Sequence, residues 1–391
     1  MIKEMNVLIR HIFPVLACLW VICLLLGCPA RAAAEGTEPE VSATSAILVE
    51  ASTGRVLWEK NADEERSPAS MTKIMTCLLA LERLKPDTEI LISPAAEQTE
   101  DVYLGFGAGE LFRAEELEYG LMLLSDNGAA VALAEEMGGS VSGFAKLMNE
   151  KARDLGMTST HFVTPNGLTA PGHHSTARDM AKLACHAMQS EKFREIVGTK
   201  KRMVHWELPK GKALEAENSN KLLGVYQGMT GIKTGWTQAA GGCLAASAER
   251  QGIELVAIVM NAPTPDDRFV DARKILDYGF RNAKLIKGVS KERLRAYAWV
   301  SGGTTGRVPL RLASDINFLL LGGESRERYK VNYEIEKVMD APVKAGQKAG
   351  RAVLTYDGRE VGSVDILADQ AVPAGFSFYG FMISLFKPFL K

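Results

Sequence analysis

The sequence has almost no net charge and few cysteines. Its 46 Lys and Arg residues nearly balance 47 Asp and Glu residues, which gives a formal net charge of −1. This balance indicates neither a nucleic-acid partner nor an acidic one. Of the six cysteines, three lie in the N-terminal segment and the other three are Cys77, Cys185 and Cys243. An odd number of distant cysteines does not form a disulfide framework, so buried free thiols are predicted.

Histidine is also scarce, with six residues in the chain. His161, His173 and His174 fall in one predicted loop, but no glutamate or cysteine accompanies them at the spacing of metal ligands. Solvent-exposed or structural histidines are the favoured interpretation. The sequence therefore predicts no metal site and no other cofactor.

The sequence has a long uncharged apolar run at its N-terminus. Lys3 and Arg10 precede the run at about 12–27, and small residues at 32–34 precede Glu35. This order is typical of a secretory signal peptide. We expect cleavage after residue 34, although an uncleaved membrane anchor is an alternative and Leu25-Leu26-Gly27-Cys28 loosely resembles a lipoprotein signal. The mature protein is expected outside the cytoplasmic membrane.

The pattern after residue 34 predicts an α+β fold. Two β-rich runs near 45–60 form a hairpin, helical spacing follows over 68–84, 115–155 and 177–189, and a second hairpin occupies about 243–260 before a helix at 267–283. These elements predict an antiparallel sheet flanked by helices with a helical insertion, in a domain over 35–284. Short β runs separated by glycines then predict a small all-β domain over 285–368.

The tail over 369–391 is rich in aromatic and aliphatic side chains. They are Phe376, Phe378, Phe381, Ile383, Leu385, Phe386, Phe389 and Leu390. Such a segment either docks as a last helix on the protein body or lies as an amphipathic helix in a membrane surface. The density of apolar side chains favours the membrane surface.

Ser70-Met71-Thr72-Lys73 is the first of three motifs that carry chemistry. Residues three apart share one face of a helix, so the lysine amine can lie beside the serine hydroxyl. An uncharged amine there can take the hydroxyl proton and activate the serine as a nucleophile. The spacing alone is weak evidence, because Ser384-Leu385-Phe386-Lys387 repeats it in the tail.

The other two motifs are Ser125-Asp126-Asn127 and Lys233-Thr234-Gly235. S-x-x-K, S-x-N and K-T-G in this order mark penicillin-binding proteins and serine β-lactamases. The chain resembles the low-molecular-mass penicillin-binding proteins of the D-alanyl-D-alanine carboxypeptidase family, most clearly in segments 68–76, 231–235 and 265–269. The resemblance extends over nearly the whole chain. One departure is Asp126-Asn127-Gly128, where many members have Gly-Asn-Asp.

The resemblance implies a serine peptidase that removes the terminal D-alanine from peptidoglycan stem peptides and is acylated by β-lactams. Ser70 would be the nucleophile, Lys73 the base with its pKa lowered by burial and by Lys233, and Ser125 the proton relay. The substrate-binding residues would be Asn127, Lys233, Thr234, Gly235, Trp236 and Arg268. The backbone N–H groups of Ser70 and Trp236 would form the oxyanion hole.

Three other interpretations stay open. A serine β-lactamase would need fast deacylation, but no Glu-x-x-Leu-Asn lies between Ser125 and Lys233. A non-catalytic wall-binding or scaffold protein would explain the β domain and tail, yet not the intact motifs. A D,D-endopeptidase would use the same residues. The sequence does not indicate the preferred muropeptide, a vegetative or sporulation role, or the oligomeric state.

Overall fold

The computed structural model describes residues 38–322 and 324–390. The predicted signal peptide at 1–34 lies outside them. In the first part of the chain the strands are β1 Ser45–Glu50, β2 Val56–Lys60, β3 Glu89–Leu91, β4 Leu111–Arg113, β5 Lys201–His205, β6 Ala213–Glu217, β7 Met229–Thr237, β8 Gly241–Arg250 and β9 Ile253–Ala262. The helices there are α1 Lys73–Arg83, α2 Pro94–Glu97, α3 Ala114–Tyr119, α4 Asn127–Gly138, α5 Val141–Asp154, α6 Ala177–Ala187, α7 Glu191–Gly198 and α8 Asp267–Asn282.

Five strands form an antiparallel sheet in the order β2-β1-β9-β8-β7. The turn between β8 and β9 consists of Gln251 and Gly252, whose φ angles are 53° and 77°. Two successive left-handed residues produce the hairpin turn that best matches the natural twist of paired strands. The tight turn fixes Arg250 opposite Ile253 and sets the register of the hairpin.

Helices cover both faces of this sheet. On one face α8 packs with Phe269, Ala272, Ile275 and Leu276 against the strands. On the other face lies the insertion between β2 and β7, and its central helix is α1. The insertion leaves the sheet at one edge strand and returns at the other, which brings the beginning of α1 beside β7.

Helix α1 is buried along most of its length because apolar side chains repeat on more than one face. Ile74, Met75 and Leu78 are all in the core. Glu82 and Arg83 in its last turn are exposed. A tight 3-10 turn, Ala69–Thr72, precedes the helix and contains the first motif serine.

The rest of the chain is an all-β region followed by one helix. Its strands are β10 Ala283–Val289, β11 Ala296–Ser301, β12 Arg307–Leu312, β13 Ile316–Leu321, β14 Tyr329–Ile335, β15 Val338–Asp340, β16 Lys348–Tyr356 and β17 Arg359–Ala368. Six of them form a sheet in the order β14-β16-β17-β12-β11-β15, and β10 pairs with β13. The prediction of an antiparallel sheet flanked by helices, followed by an all-β domain, is confirmed.

The tail forms helix α9, Phe378–Leu390, whose two sides differ. One side docks on the β region: Ile383 is buried, Ser384 hydrogen-bonds Ser301 across 2.9 Å, and Lys387 pairs with Asp340. The other side, with the residues just before the helix, exposes aromatic rings, and Phe376 is 85% and Phe378 66% accessible. Among the described residues, no helix combines the length and apolar character needed to cross a membrane.

The sequence patterns did not indicate several short elements. The hairpins β3–β4 and β5–β6 are made of three- and five-residue strands with little hydrophobic alternation. The predicted helical region over 115–155 is interrupted at Gly120–Leu124 by a π-helical turn. That turn ends at Ser125, which has a left-handed backbone with φ of 64°.

Candidate active site

Ser70 lies in the 3-10 turn that leads into α1, directly beside β7. The two segments approach so closely at Gly235 that an added methyl group there would lie 3.1 Å from the backbone nitrogen of Ser70 and 3.2 Å from Cβ of Ala69. Only a residue without a side chain keeps this approach unstrained. The glycine therefore keeps the Ser70 N–H beside the edge of the sheet.

Lys73, one turn along, is completely buried and makes three hydrogen bonds. Its ammonium nitrogen lies 2.8 Å from the hydroxyl oxygen of Ser70, 2.6 Å from Oδ1 of Asn127 and 2.8 Å from the carbonyl oxygen of Asn166. The three contacts fix the side chain in one direction. The structure thus brings together Ser70 and Lys73 of the first motif, Asn127 of the second and a backbone carbonyl.

Burial lowers the pKa of Lys73 to about 7, against the opposing effect of the Asp126 and Asp101 carboxylates. Desolvation favours the uncharged form of an amine, so a buried lysine can serve as a base near neutral pH. Burial also lowers the pKa of Lys233 well below its usual value, and the charges of Lys73 and Arg268 lower it further. These three cationic side chains share one region, which therefore favours an anion.

Asn127 and Asp126 hold the second motif in place. Asn127 donates from Nδ2 to the carbonyl of Glu100 across 2.8 Å, so its Oδ1 faces Lys73. Asp126 is buried, caps α4 by accepting from Ala129 N–H at 2.7 Å, and accepts from Leu104 N–H at 2.7 Å. Burial raises the pKa of Asp126, against the lowering effect of those N–H groups. Asp126, the residue that departs from the family pattern, therefore stabilises the loop before α4.

Ser125 lies between the π-helical turn and α4, two residues before Asn127. Its hydroxyl makes no hydrogen bond within 38–322 and 324–390. The left-handed backbone at this position is uncommon for a residue with a side chain. It is the kind of local strain that a motif pattern does not reveal.

Strand β7 carries the third motif along the same cleft. Thr234 Oγ1 lies 2.7 Å from Ser219 Oγ, and Lys233 is buried with its ammonium 3.1 Å from the carbonyl of Thr234. Arg268 at the start of α8 donates to the carbonyl of Gly235 across 2.6 Å. Its Nε is buried without a hydrogen-bond partner in the part of the chain that the structure describes. Trp236, which follows Gly235 on β7, is 44% exposed.

A turn at Thr164–Leu168, named here the 164–168 turn, supplies contacts that the motifs did not predict. An added methyl group at Gly167 would lie 1.9 Å from the carbonyl oxygen of Ala69, and its φ is +84°. Thr76 donates to the carbonyl of Pro165 across 2.6 Å. An Asn-Gly pair is typical of a turn, but nothing in the local sequence indicates that the carbonyl of Asn166 faces Lys73.

His173 connects the 164–168 region to the turn that carries Ser70. Its Nδ1 accepts from Val163 N–H at 3.0 Å, so Nε2 carries the proton and donates to Thr72 Oγ1 at 2.9 Å. Burial, together with the smaller effect of the nearby His161 and His174, lowers the pKa of His173 to about 4. An uncharged histidine that links two segments is a structural part of the site.

The second copy of the S-x-x-K spacing has different surroundings. Ser384 donates to the carbonyl of Gly380 within α9, and Lys387 lies against Asp340 on β15. The two copies therefore differ in burial and in polar partners, because Lys73 is completely buried against Ser70 and Asn127 whereas Lys387 lies against a carboxylate. Spacing alone does not show this difference.

Comparison with known proteins places this arrangement in a family. A family model described as D-alanyl-D-alanine carboxypeptidase matches residues 32–264, which is more than half of the chain. The chain belongs to this family. A second model, described as penicillin-binding protein 5, C-terminal domain, matches residues 285–374. The resemblance inferred from the motifs is confirmed, and so is the class of enzyme, a serine-type D-alanyl-D-alanine carboxypeptidase.

Individual members of the D-alanyl-D-alanine carboxypeptidase family match over most of the chain. DacF of Bacillus subtilis is 34% identical over 337 residues, with 85% of each chain covered. DacC of Escherichia coli is 31% identical over 385 residues, with 91% of each covered. The crystal structure of penicillin binding protein 5 from Haemophilus influenzae superposes with a TM-score of 0.65 at 28% identity, covering 86% of this chain and 99% of that one.

Proposed function

We propose that the protein removes the terminal D-alanine from peptidoglycan stem pentapeptides through an acyl-enzyme on Ser70. The observation that carries the proposal is the contact between Ser70 Oγ and the buried amine of Lys73, at 2.8 Å. With its pKa near 7, that amine is partly uncharged at neutral pH and can accept the hydroxyl proton.

The first half of the reaction forms the ester. Ser70 Oγ attacks the carbonyl between the two D-alanines while its proton passes to Lys73. The backbone N–H groups of Ser70 and Trp236 stabilise the oxyanion, and loss of one such donor raises the barrier by about 3 kcal/mol. Ser125 relays the Ser70 proton from Lys73 to the nitrogen of the departing D-alanine, so that the C–N bond breaks and D-alanine leaves. Water then hydrolyses the ester and restores the free hydroxyl.

The free carboxylate of the substrate selects the binding direction. Arg268 supplies a positive charge at Gly235, beside Ser70, and Thr234 offers a hydroxyl. Lys233 supplies a buried amine whose charged form a bound carboxylate would favour. Hydrogen bonds to a charged group contribute about 1.5–3 kcal/mol, more than those between neutral groups. Asn127 binds the peptide backbone and orients Lys73. Carboxypeptidases need such a set because their substrates end in a carboxylate.

A β-lactam ring carries an amide and a carboxylate in a comparable arrangement, so we propose that it acylates Ser70 and leaves slowly. Labelling with a fluorescent penicillin and locating the adduct by mass spectrometry tests this step. An adduct on Ser70 supports the proposal. Absence of label on folded protein would favour a wall-binding scaffold, and rapid turnover of benzylpenicillin would favour a β-lactamase. Release of D-alanine compared with cleavage of cross-linked dimers separates carboxypeptidase from endopeptidase activity.

We further propose that residues 1–34 direct export, that 35–284 form the catalytic domain and 285–368 the β domain, and that 369–391 attach the enzyme to the outer face of the cytoplasmic membrane. The exposed rings around the start of α9 support this attachment, because aromatic side chains favour the membrane–water interface. Replacing Phe376, Phe378 and Phe381 by serine should release the protein from membranes during sedimentation. Replacing Tyr103, Tyr297 and Tyr333, which are exposed aromatic residues elsewhere on the surface, should not. Retention of the first variant on membranes would refute attachment by this segment.

A further inference from the structure

The outer face of the six-stranded sheet carries an aromatic pair in which Tyr297 is exposed and Trp299 is half-buried. Tyr297 and Trp299 alternate with the buried Ala298 and Val300 on β11, so they point away from the core. Their ring centroids are 5.1 Å apart in an edge-to-face arrangement, and Tyr297 is 49% exposed. Neither ring belongs to the catalytic cleft.

Several cations line a groove beside Tyr297. An open groove of about 1390 Å³ along β11 and β12 contains Tyr297, and its charged lining residues are Lys291, Arg295, Arg307, Arg311, Glu292 and Asp369. The guanidinium of Arg307 lies 5.7 Å from the centre of the Tyr297 ring. Arg311 pairs with Asp369 at 3.4 Å. Within the described residues, Lys291, Arg295 and Arg307 have no carboxylate at ion-pair distance.

We propose that this surface, called here the aromatic groove, binds the glycan strand of peptidoglycan together with its acidic stem peptides. The proposal rests on the proposed function, which places the protein at the cell wall. Aromatic faces stack against the apolar C–H faces of sugar rings, while unpaired guanidinium groups attract the carboxylates of stem peptides. The exposed Tyr297 ring, which packs against Trp299 and is flanked by unpaired cations, meets both chemical features of that polymer.

The position of α9 favours a polymer over lipid head groups as the occupant. The helix lies across the ends of three strands, because it contacts Gly306 before β12, Ser301 at the end of β11 and Asp340 at the end of β15. The groove runs along the strands away from that end. Arg311 lies four residues beyond Arg307, about 13 Å farther along β12. A membrane surface in contact with α9 reaches Arg307 at the near end of the groove. An extended glycan strand can instead lie along the whole groove, from Arg307 to Arg311.

Sedimentation of the full chain with purified peptidoglycan tests the proposal. The chain is kept in detergent micelles and blocked with benzylpenicillin, and the sacculi are stripped of covalently attached anionic polymers. The variant Arg295→Ser/Arg307→Ser should bind roughly three- to tenfold more weakly at about 0.15 M salt, because two exposed ion pairs with the carboxylates of the stem peptides are lost. Tyr297→Ser should also weaken binding. Lys330→Ser/Arg359→Ser, which removes two exposed cations elsewhere on the domain, should bind within about twofold of wild type.

Two parallel measurements separate the alternatives. All variants should release D-alanine from a soluble pentapeptide at the wild-type rate, which shows that their catalytic domain is intact. Loss of release in wild type would instead refute the proposed function. Vesicles containing anionic phospholipid form the second arm. The proposal is overturned if the groove variants sediment with sacculi as wild type does, or if their only defect is in binding the vesicles.

Discussion

Lys73 donates a hydrogen bond to Oδ1 of Asn127 across 2.6 Å, although 54 positions separate the two residues in the chain. Asn127 is held from its other side by the carbonyl of Glu100. The amide therefore cannot turn its nitrogen towards Lys73 without losing both contacts. This pairing leaves the amine directed at Ser70 and defines the geometry on which the predicted chemistry depends.

Replacing Ser70 by alanine should abolish both the penicillin adduct and D-alanine release, to below about one-thousandth of wild type, because the nucleophile is lost. Mass spectrometry of the adduct and an assay of free D-alanine measure the two effects. Ser384→Ala is the matched control, since it removes the serine of the second S-x-x-K copy. An adduct that persists in Ser70→Ala but disappears in Ser384→Ala would reverse the assignment.

The rate of acylation should rise with pH through about 7, by about tenfold per pH unit below that value, and then level off. The reason is that Lys73 accepts a proton only when uncharged, and burial lowers its pKa to about 7. Stopped-flow measurement with benzylpenicillin provides the profile. Lys85→Met, at an exposed lysine, should leave the profile unchanged, whereas a flat profile in wild type would contradict the role of Lys73.

The same shift predicts a change in stability. An unfolded lysine has a pKa near 10.4, so between about pH 7 and 10 the unfolded chain binds more protons than the folded chain. The contribution of Lys73 to the free energy of unfolding should therefore rise with pH across that range. Denaturant titrations at several pH values measure this slope. Lys73→Met should reduce the slope, and an unchanged slope would indicate that Lys73 stays charged in the folded protein.

Gly235→Ala should slow acylation by roughly tenfold to a hundredfold. Its new methyl group would lie 3.1 Å from the backbone nitrogen of Ser70, and displacement of an oxyanion donor is costly. Gly322→Ala places a methyl group in open space and should have no effect. If both variants acylate at the wild-type rate, the N–H of Ser70 does not contribute to the oxyanion hole.

Arg268→Met should lower kcat/KM by roughly ten- to a hundredfold for peptides that end in a carboxylate, because a charged hydrogen bond is lost. Peptides ending in an amide should be affected much less. Comparing the two substrates separates recognition of the carboxylate from general damage to β7, whose Gly235 carbonyl accepts from Arg268. Arg273→Met, at an exposed position of the same helix, is the control. Equal losses on both substrates would assign Arg268 to the structure of β7 alone.

Arg55→Met should lower the free energy of unfolding by about 3 kcal/mol, since it leaves a largely buried carboxylate without its partner. Arg55 is 7% exposed, pairs with Glu324 at 2.6 Å and also contacts Tyr329 and the carbonyl of Leu319. Arg328→Met, which breaks the exposed pair with Asp357, should cost less than about 1 kcal/mol. Equal values in chemical denaturation would show that the Arg55 contacts are not coupled to folding.

The sequence predicted those features that depend on local periodicity. The helix after Ser70, the two hairpins of the main sheet and the change to short strands after about residue 283 all follow from the spacing of apolar residues. The motif order predicted the family. Each of these signals lies within a short segment of the sequence, so it can be recognised without knowledge of the fold.

Other features depend on contacts between distant segments. The carbonyl of Asn166 has no side-chain signature, and the contact of Thr234 with Ser219 joins residues that no motif connects. The left-handed backbone of Ser125 follows from the π-helical turn before it. For the tail, the sequence favoured a helix in a membrane surface over a helix docked on the protein body. In the structure, α9 packs one side on the β region and exposes the other.

The backbone contact at Asn166 has a consequence for the evolution of drug resistance. A main-chain oxygen survives every substitution at its own position, and the neighbouring Gly167 tolerates no side chain against Ala69. A side chain at Gly167 should therefore disturb the contact with Lys73 and weaken acylation by the natural substrate and by β-lactams together. Selection for an enzyme that excludes the drug but still trims its natural substrate must therefore act on other walls of the cleft.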